Sequence, residues 1–347
     1  MDLFSLEDMT RPIRIDNPPN PWQSEHVEWL GEPPVARLVV FEERARTILS
    51  KNESPDLPFR YGLNPYRGCL HGCAYCYARP THEYLSFGAG SDFERKIVVK
   101  VNAAELLAKG LDRKGWEPDT IVFSGVTDCY QPLEASYGIT RECLEVCASR
   151  GNPVGIITKG SLVRRDLDLL AEMSAWRGVR VFLSIPFADD ETGRALEPMA
   201  STISQRFKTL RVLAEAGVDV GVSLSPMIPG LSDRDIPEIL ERARDAGATR
   251  AFTQLLRLPG PVAQIFEDRL REALPEKADR VFAGLEDMRA GALQEGRFGR
   301  RFVGVGPRWA TTQRLFESTC KRLGLQESRD TGLNQENFRR GGQQRLF

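Results

Sequence analysis

The sequence predicts an α/β protein in which parallel strands alternate with helices, arranged as a βα barrel or an open α/β sheet. Three observations carry this. Apolar runs of strand length recur at 119–125, 153–160, 179–186, 218–226 and 249–256. Helical patterns fill the intervals near 136–150, 161–174, 202–216 and 235–246. One run follows the next at about 25 to 40 residues, which is the length of a βα unit.

Taken in order, residues 1–58 hold 8 of the 22 prolines, including NPPNP at 17–21 and the pair at 33 and 34. This predicts an irregular extension with one short strand at ARLVVF. The breaker-rich SPDLPF then leads into a central region, residues 59–260, whose first strand is expected near FRYGLNPYRG. DTIVFSG, PVGIITKG, VRVFLSIP, VDVGVSLSP and TRAFTQLL bring the strands to six. Their continuous apolar character suits parallel strands covered on both faces. LAEAGVDV and ARDAGATR stop their helices at a glycine, the residue that adopts the left-handed C-terminal cap without strain. FERKIVVKVN, with Lys100 and Asn102, reads as a further strand, either near the sheet mouth or at an edge. Residues 261–347 are expected to be helical over 262–293, to turn at GRFGRRFVGVGPRW, and to end in a basic helical tail with a disordered GGQQ end.

The chain has 347 residues, 41% apolar and 27% charged, the balance of a globular protein with a sizeable core. No apolar run reaches membrane-span length, so no membrane is expected. MDLFSLEDMTRPIRID lacks a basic start followed by an apolar stretch, which leaves the cytoplasm as the expected compartment. The formal net charge is −1, yet Arg297 to Phe347 holds eleven Lys/Arg against four Asp/Glu, a local +7. That leaves −8 for the rest. A basic end on an acidic protein suits either a solvated helical tail or an anionic partner such as nucleic acid.

The seven cysteines do not spread like a disulfide framework, because three fall within eight residues, in NPYRGCLHGCAYCYARP. The spacing is Cys69-x3-Cys73-x2-Cys76. Thiolates are soft ligands for iron–sulfur clusters or zinc. Three on one loop can hold three irons of a cubane and leave the fourth open to a cofactor or substrate. Structural zinc would need a fourth ligand, for which His71 and His82 are the candidates, but no second CxxC or HxxxH pair follows. Cys143 and Cys147, one helical turn apart, read as core residues, and Cys320 as structural.

CxxxCxYC, with Tyr75 before the third cysteine, resembles the signature of the radical S-adenosylmethionine (SAM) superfamily over roughly residues 60–258. The resemblance implies a partial (β/α)6 TIM-like barrel with a [4Fe–4S] cluster on Cys69, Cys73 and Cys76. It implies that SAM chelates the open iron, and that one electron cleaves it to methionine and a 5′-deoxyadenosyl radical. Reduced flavodoxin or ferredoxin is the implied electron donor. In a barrel of this kind functional residues sit at the C-terminal strand ends. There the sequence places Thr127 and Asp128 as candidate partners of the SAM ammonium, and Lys159 for its carboxylate or ribose. Ser184, Glu197 and Arg206 follow the fourth strand, and Pro226, Met227 and Ile228 follow the fifth as candidate adenine contacts.

CxYCYAR, the Thr-Asp of strand two, the TKGS lysine and the late PMIPG resemble the spore photoproduct lyase-like, or DNA repair photolyase-like, branch. Tyr75 and Tyr77 match tyrosines that assist SAM binding or hydrogen-atom relay in that branch. The sequence departs from it at Gly125, where the branch has its hydrogen-donor cysteine; Cys129 lies on the other side of Asp128. Three functions are therefore weighed: a radical SAM enzyme on an anionic substrate such as nucleic acid, one on a small molecule or protein, and a non-catalytic iron–sulfur or zinc binding protein.

Overall fold

The computed structural model describes residues 13–27, 32–327 and 332–341. The strands, in chain order, are β1 (Ile13–Arg14), β2 (Val35–Ala36), β3 (Val39–Glu43), β4 (Leu49–Lys51), β5 (Tyr61–Leu63), β6 (Tyr66–Arg67), β7 (Lys96–Lys100), β8 (Ile121–Phe123), β9 (Val154–Thr158), β10 (Val179–Ser184), β11 (Val220–Met227), β12 (Arg250–Leu255) and β13 (Gln326–Glu327). The main sheet has eight of them in the order β13-β12-β11-β10-β9-β8-β5-β4. Six consecutive strands, β5 and β8 to β12, are mutually parallel, as a partial (β/α)6 barrel requires. β4 joins antiparallel at one edge and β13 parallel at the other. The segments on either side of the central region thus each add a strand to its sheet.

All six residues of β10 and the Ile121–Phe123 triplet are buried, the two-faced burial that their unbroken apolar runs predicted. Helices cover the strands where expected, at Ile139–Arg150, Leu167–Ala175, Ile203–Glu215 and Ile236–Asp245. The first two turns after β9, Ser161–Asp166, are a 3-10 helix.

One expectation is corrected and two gain detail. FRYGLNPYRG supplies the expected first strand, β5, and also β6, which belongs to a different sheet. Pro65 lies between them, and it has no N–H for a ladder. β7 is neither a barrel strand nor an edge but the centre of a second sheet, β3-β7-β6, packed beside the first. Its flanking Asn102 bonds both the N–H and the C=O of Ala45, at 2.9 and 3.0 Å. The stretch expected to be helical over 262–293 is so for most of its length, as two helices, Val262–Ala273 and Pro275–Met288, because Pro275 opens a new helix more readily than it continues one. The C-terminal helix is Gly306–Leu323. From residue 342 the GGQQ end lies outside the described residues.

Candidate functional site

The cysteine loop links β6 to a 3-10 helix at Arg79–Leu85. Two glycines set its path. Gly68 has φ 76°, and an added Cβ there would lie 2.9 Å from the Phe93 carbonyl and from Ile97. Gly72 has φ 63°. Only glycine adopts this region freely. The loop is pinned on one side by Cys69 N–H to the Phe93 carbonyl at 2.9 Å, and on the other by Ala74 N–H to the Leu196 carbonyl at 2.9 Å.

Arg79 holds the loop from within. It is fully buried, and its nitrogens donate to the carbonyls of Gly72 (3.1 Å), Cys73 (2.9 and 3.0 Å), Ala89 (3.1 Å) and Gly90 (3.0 Å). It also pairs with Glu94. Gln131, likewise buried, accepts from Leu70 N–H at 3.0 Å and donates to the Gly68 carbonyl at 3.3 Å, bracketing Cys69. Sequence reading passed over both. Nothing in their spacing marks them, because their partners are backbone groups that any residue supplies.

Cys69 and Cys73 are buried and Cys76 is half-buried. Burial pushes the thiols of Cys73 and Cys76 up. It acts on Cys69 too, but the neighbouring His71 outweighs it and holds that thiol below its ordinary value. His71 is itself buried, with Nδ1 3.4 Å from the Asp128 carboxylate and Nε2 without a hydrogen-bond partner. Burial disfavours its charged form, yet Cys69 and Asp128 outweigh this and push it up to about 9.

The three soft thiols on one loop suit an iron–sulfur cubane. Zinc needs its donors about 2.0–2.3 Å from one point. Among the described residues no three His, Cys, Asp or Glu side chains are so gathered. His82, the other candidate fourth ligand, bonds the Lys96 carbonyl through Nε2 at 2.9 Å, and its buried Nδ1 is without a partner. A cubane distributes three thiolates over three irons, and its sulfur atoms would give the orphaned His71 Nε2 a partner.

Beside the loop, the structure gathers four of the predicted cofactor residues around one buried carboxylate. Glu197 accepts from the Tyr75 hydroxyl, pairs with Arg206, and lies 3.8 Å from Lys159 Nζ. Lys159 also stands over the Tyr75 ring, 5.7 Å from its centroid. Arg206 donates to the Ser184 carbonyl at 2.9 Å and the Ser201 carbonyl at 2.7 Å, so Ser184 enters through its backbone. Burial raises the Glu197 carboxyl, and Arg206 only partly offsets this.

Thr127 and Asp128 are turned inward. The Thr127 hydroxyl donates to the Gly68 carbonyl at 2.7 Å and accepts from Gln131 at 3.1 Å. Asp128 accepts from the Thr158 hydroxyl (2.7 Å), Lys159 N–H (2.7 Å) and Tyr130 N–H (2.9 Å). Burial alone would raise its carboxyl, but His71 and these donors hold it at about 2. Both residues therefore brace the cysteine loop against the ends of β8 and β9. Ile228 is buried at the end of β11, its N–H on the Ser232 hydroxyl at 2.8 Å. Tyr77 stands apart from Tyr75: the residue is 52% exposed and its hydroxyl donates to the Gly125 carbonyl at 2.5 Å. Cys129 is fully buried in the core, as are Cys143, Cys147 and Cys320.

Comparison with known proteins gives the following. The profile of the Radical SAM superfamily matches residues 63–243. An uncharacterized protein of Mycobacterium tuberculosis, Rv2578c, is 39% identical over 226 residues, 65% of this chain and 66% of that relative. The chain thus covers just under two thirds of that relative's length. An uncharacterized protein of Methanocaldococcus jannaschii, MJ0683, is 30% identical over 57% of this chain and 71% of its own. Among solved structures, a spore photoproduct lyase mutant with bound AdoMet and dinucleoside spore photoproduct matches with TM-score 0.63 and 18% identity, over 84% of this chain and 81% of its own.

Proposed function

The chain belongs to the radical SAM superfamily, and from that premise we propose that Cys69, Cys73 and Cys76 hold a [4Fe–4S] cluster with which the protein cleaves SAM reductively and takes a hydrogen atom from a substrate. The observation that carries this reading is the pairing of two features: three buried or half-buried thiols on one braced loop, and beside them the buried Tyr75–Glu197–Arg206–Lys159 group. When bound, the cluster supplies the electron that splits SAM into methionine and a carbon radical.

The chain's own residues do the rest. Arg79, Gln131 and Thr127 fix the loop backbone, so that the thiols keep one geometry. Glu197 carries the negative charge that Arg206 and Lys159 surround, a setting that orients an amino-acid group of SAM by charge. Lys159 has a rotatable ammonium and a flexible stem, and takes a carboxylate or ribose oxygen. Ile228 supplies an apolar wall for adenine. Asp128 acts through His71 and Lys159 N–H. Tyr75 positions Glu197, and Tyr77 stands at the substrate side as a hydrogen-atom relay. A reduced flavodoxin or ferredoxin supplies the electron.

Anaerobic reconstitution tests this. The expected result is near four irons and four sulfides per chain, with dithionite-dependent release of 5′-deoxyadenosine from SAM. Zinc uptake without SAM cleavage supports instead the non-catalytic reading. Cys73→Ala is expected to lose both cluster and cleavage; if cleavage survives, the ligand assignment is wrong.

Nucleic acid is the second reading, supported by the dinucleoside ligand of the fold relative and by the basic C-terminal segment. Much of that charge is already matched: Arg297, Arg301, Arg308 and Arg322 pair with Glu295, Asp56, Asp233 and Glu241. An oligonucleotide whose log affinity is flat against log salt removes this reading. Repair of a thymine lesion by a donor cysteine is not part of the proposal, since Gly125 stands at that position.

A further inference from the structure

The turn at Arg297–Arg300 presents an aromatic ring that the fold does not bury. The N–H groups of Arg300 and Arg301 both donate to the Arg297 carbonyl, at 3.1 and 3.0 Å. Gly299 has φ 78°, so it takes the left-handed third position of this turn and leaves Phe298 at the tip. Phe298 is 61% exposed. A single exposed apolar residue is ordinary on a protein surface. This one differs in how firmly its surroundings are fixed. Arg289, itself buried, donates to the carbonyls of Leu256 (2.9 Å), Arg300 (3.1 Å), Arg301 (3.0 Å) and Val303 (3.1 Å). The Leu255 N–H donates to the Phe302 carbonyl at 3.0 Å. These bonds fasten the turn to the C-terminal end of β12. The cysteine loop lies at the same end of the parallel sheet, where the Thr127 hydroxyl, just past β8, holds the Gly68 carbonyl. The tip is fastened too: Asp56 accepts from the Gly299 N–H and pairs with Arg301, both at 2.7 Å. The Arg301 guanidinium stands over the Phe298 ring, 4.9 Å from its centroid, and over the Phe302 ring at 4.6 Å. A ring braced in this way loses little freedom when a flat partner arrives.

The charge around the ring is positive. Residues 289–303 hold four arginines and one acid, Glu295. Glu295 and Asp56 match Arg297 and Arg301. Arg289 directs its donors to carbonyls, which accept hydrogen bonds but cancel no charge. Arg300 is exposed, two residues from Phe298 in the same turn. A braced, solvent-facing ring with an excess of arginine beside it has the two parts that single-strand recognition needs: a platform for a base and a cation for the phosphate that follows. A duplex keeps the faces of its bases stacked on one another, so an unpaired strand suits this platform better.

We propose that this turn is a contact for a single-stranded nucleic acid, in which Phe298 stacks on one base and Arg300 takes an adjoining phosphate. The inference rests on the nucleic-acid reading given above, and adds to it the surface and the strand form.

Fluorescence anisotropy of the full-length reconstituted protein tests this, with a labelled oligothymidylate of about twelve residues and with the same strand in a duplex. Saturable binding of the single strand, tighter than of the duplex, is expected, with log affinity falling as log salt rises. Phe298→Ala should weaken the single strand by about tenfold, the scale of one lost base stack, and Phe298→Trp should retain it. Arg300→Gln should reduce the salt slope by about 0.7, the share of one phosphate on a single strand. Arg314→Gln, an exposed arginine on the C-terminal helix, should leave the binding unchanged. Iron content and thermal midpoint, measured on each variant, separate a lost contact from a lost fold. If the strand does not bind saturably, or binds with no salt dependence, the nucleic-acid reading falls and this surface with it. If it binds with the expected slope but folded Phe298→Ala binds as tightly, or the duplex binds more tightly, the reading stands and this surface is overturned. SAM cleavage is measured apart from these titrations, so the radical reading stands or falls separately.

Discussion

Arg79 shows what a single side chain contributes at the residue scale. Its guanidinium satisfies carbonyls on the cysteine loop and on the 89–90 turn at once. Arg79→Met strands those carbonyls and leaves the Glu94 carboxylate without its cation. A loss of about 3–5 kcal/mol is expected in urea unfolding, with loss of iron on reconstitution. Arg79→Lys restores the charge but not the fork, so iron uptake should return only in part. Lys100 provides the opposite case. Its ammonium donates to the Asn64 carbonyl at 2.9 Å, yet burial, with Arg67 adding to it, lowers its titration to about 8. An unfolded lysine titrates near about 10.4. Between these values the unfolded chain binds more protons, so this group makes stability rise with pH across that window. The penalty is full below about pH 8. Lys100→Met should therefore raise the urea midpoint at pH 7 and flatten the rise seen with the lysine present; an unchanged slope would refute this.

At the scale of elements, turn chemistry and caps decide where functional groups arrive. Gly68 begins the cysteine loop with φ 76°, against a carbonyl and a core side chain. Gly68→Ala adds both backbone strain and a clash, with an expected cost of about 2 kcal/mol or more and a visibly altered cluster spectrum. The helix Asp190–Leu196 is capped by Asp189, which accepts from Thr192 N–H at 2.6 Å. Its C-terminal end delivers Glu197 to Tyr75 and Arg206. Asp189→Ala should lower stability by about 1 kcal/mol and leave iron content intact, because the loop's own anchors remain. Iron loss in that variant would mean that the helix, rather than Arg79 and Gln131, sets the loop.

On the scale of the whole molecule, the flanking segments are part of the barrel. β4 and β13 pair with its edge strands, and the Arg301–Asp56 ion pair joins residues far apart in sequence. Arg289 holds the turn that carries Arg301. Arg289→Met should loosen this turn locally, seen as faster tryptic cleavage between Arg297 and Arg301 with little change in the global unfolding midpoint. Among the described residues no helix is long and apolar enough to cross a membrane.

The strand rhythm, the three-cysteine loop and the polar residues at strand ends were all legible in the sequence, because period, ligand chemistry and glycine punctuation are local properties. Lys159, Glu197 and Arg206 could be named from their positions after strands, and the fold brings Lys159 and Arg206 to Glu197, together with Tyr75. What the sequence by itself determined was therefore the class of fold and the thiol set. Only the tertiary structure decided that Thr127 and Asp128 face inward as braces, and that Arg79 and Gln131 hold the loop. The physical reason is the same for each. A side chain's role follows from which carbonyls, N–H groups and charges lie within about 3 Å of it, and those neighbours come from chain segments that no local pattern relates.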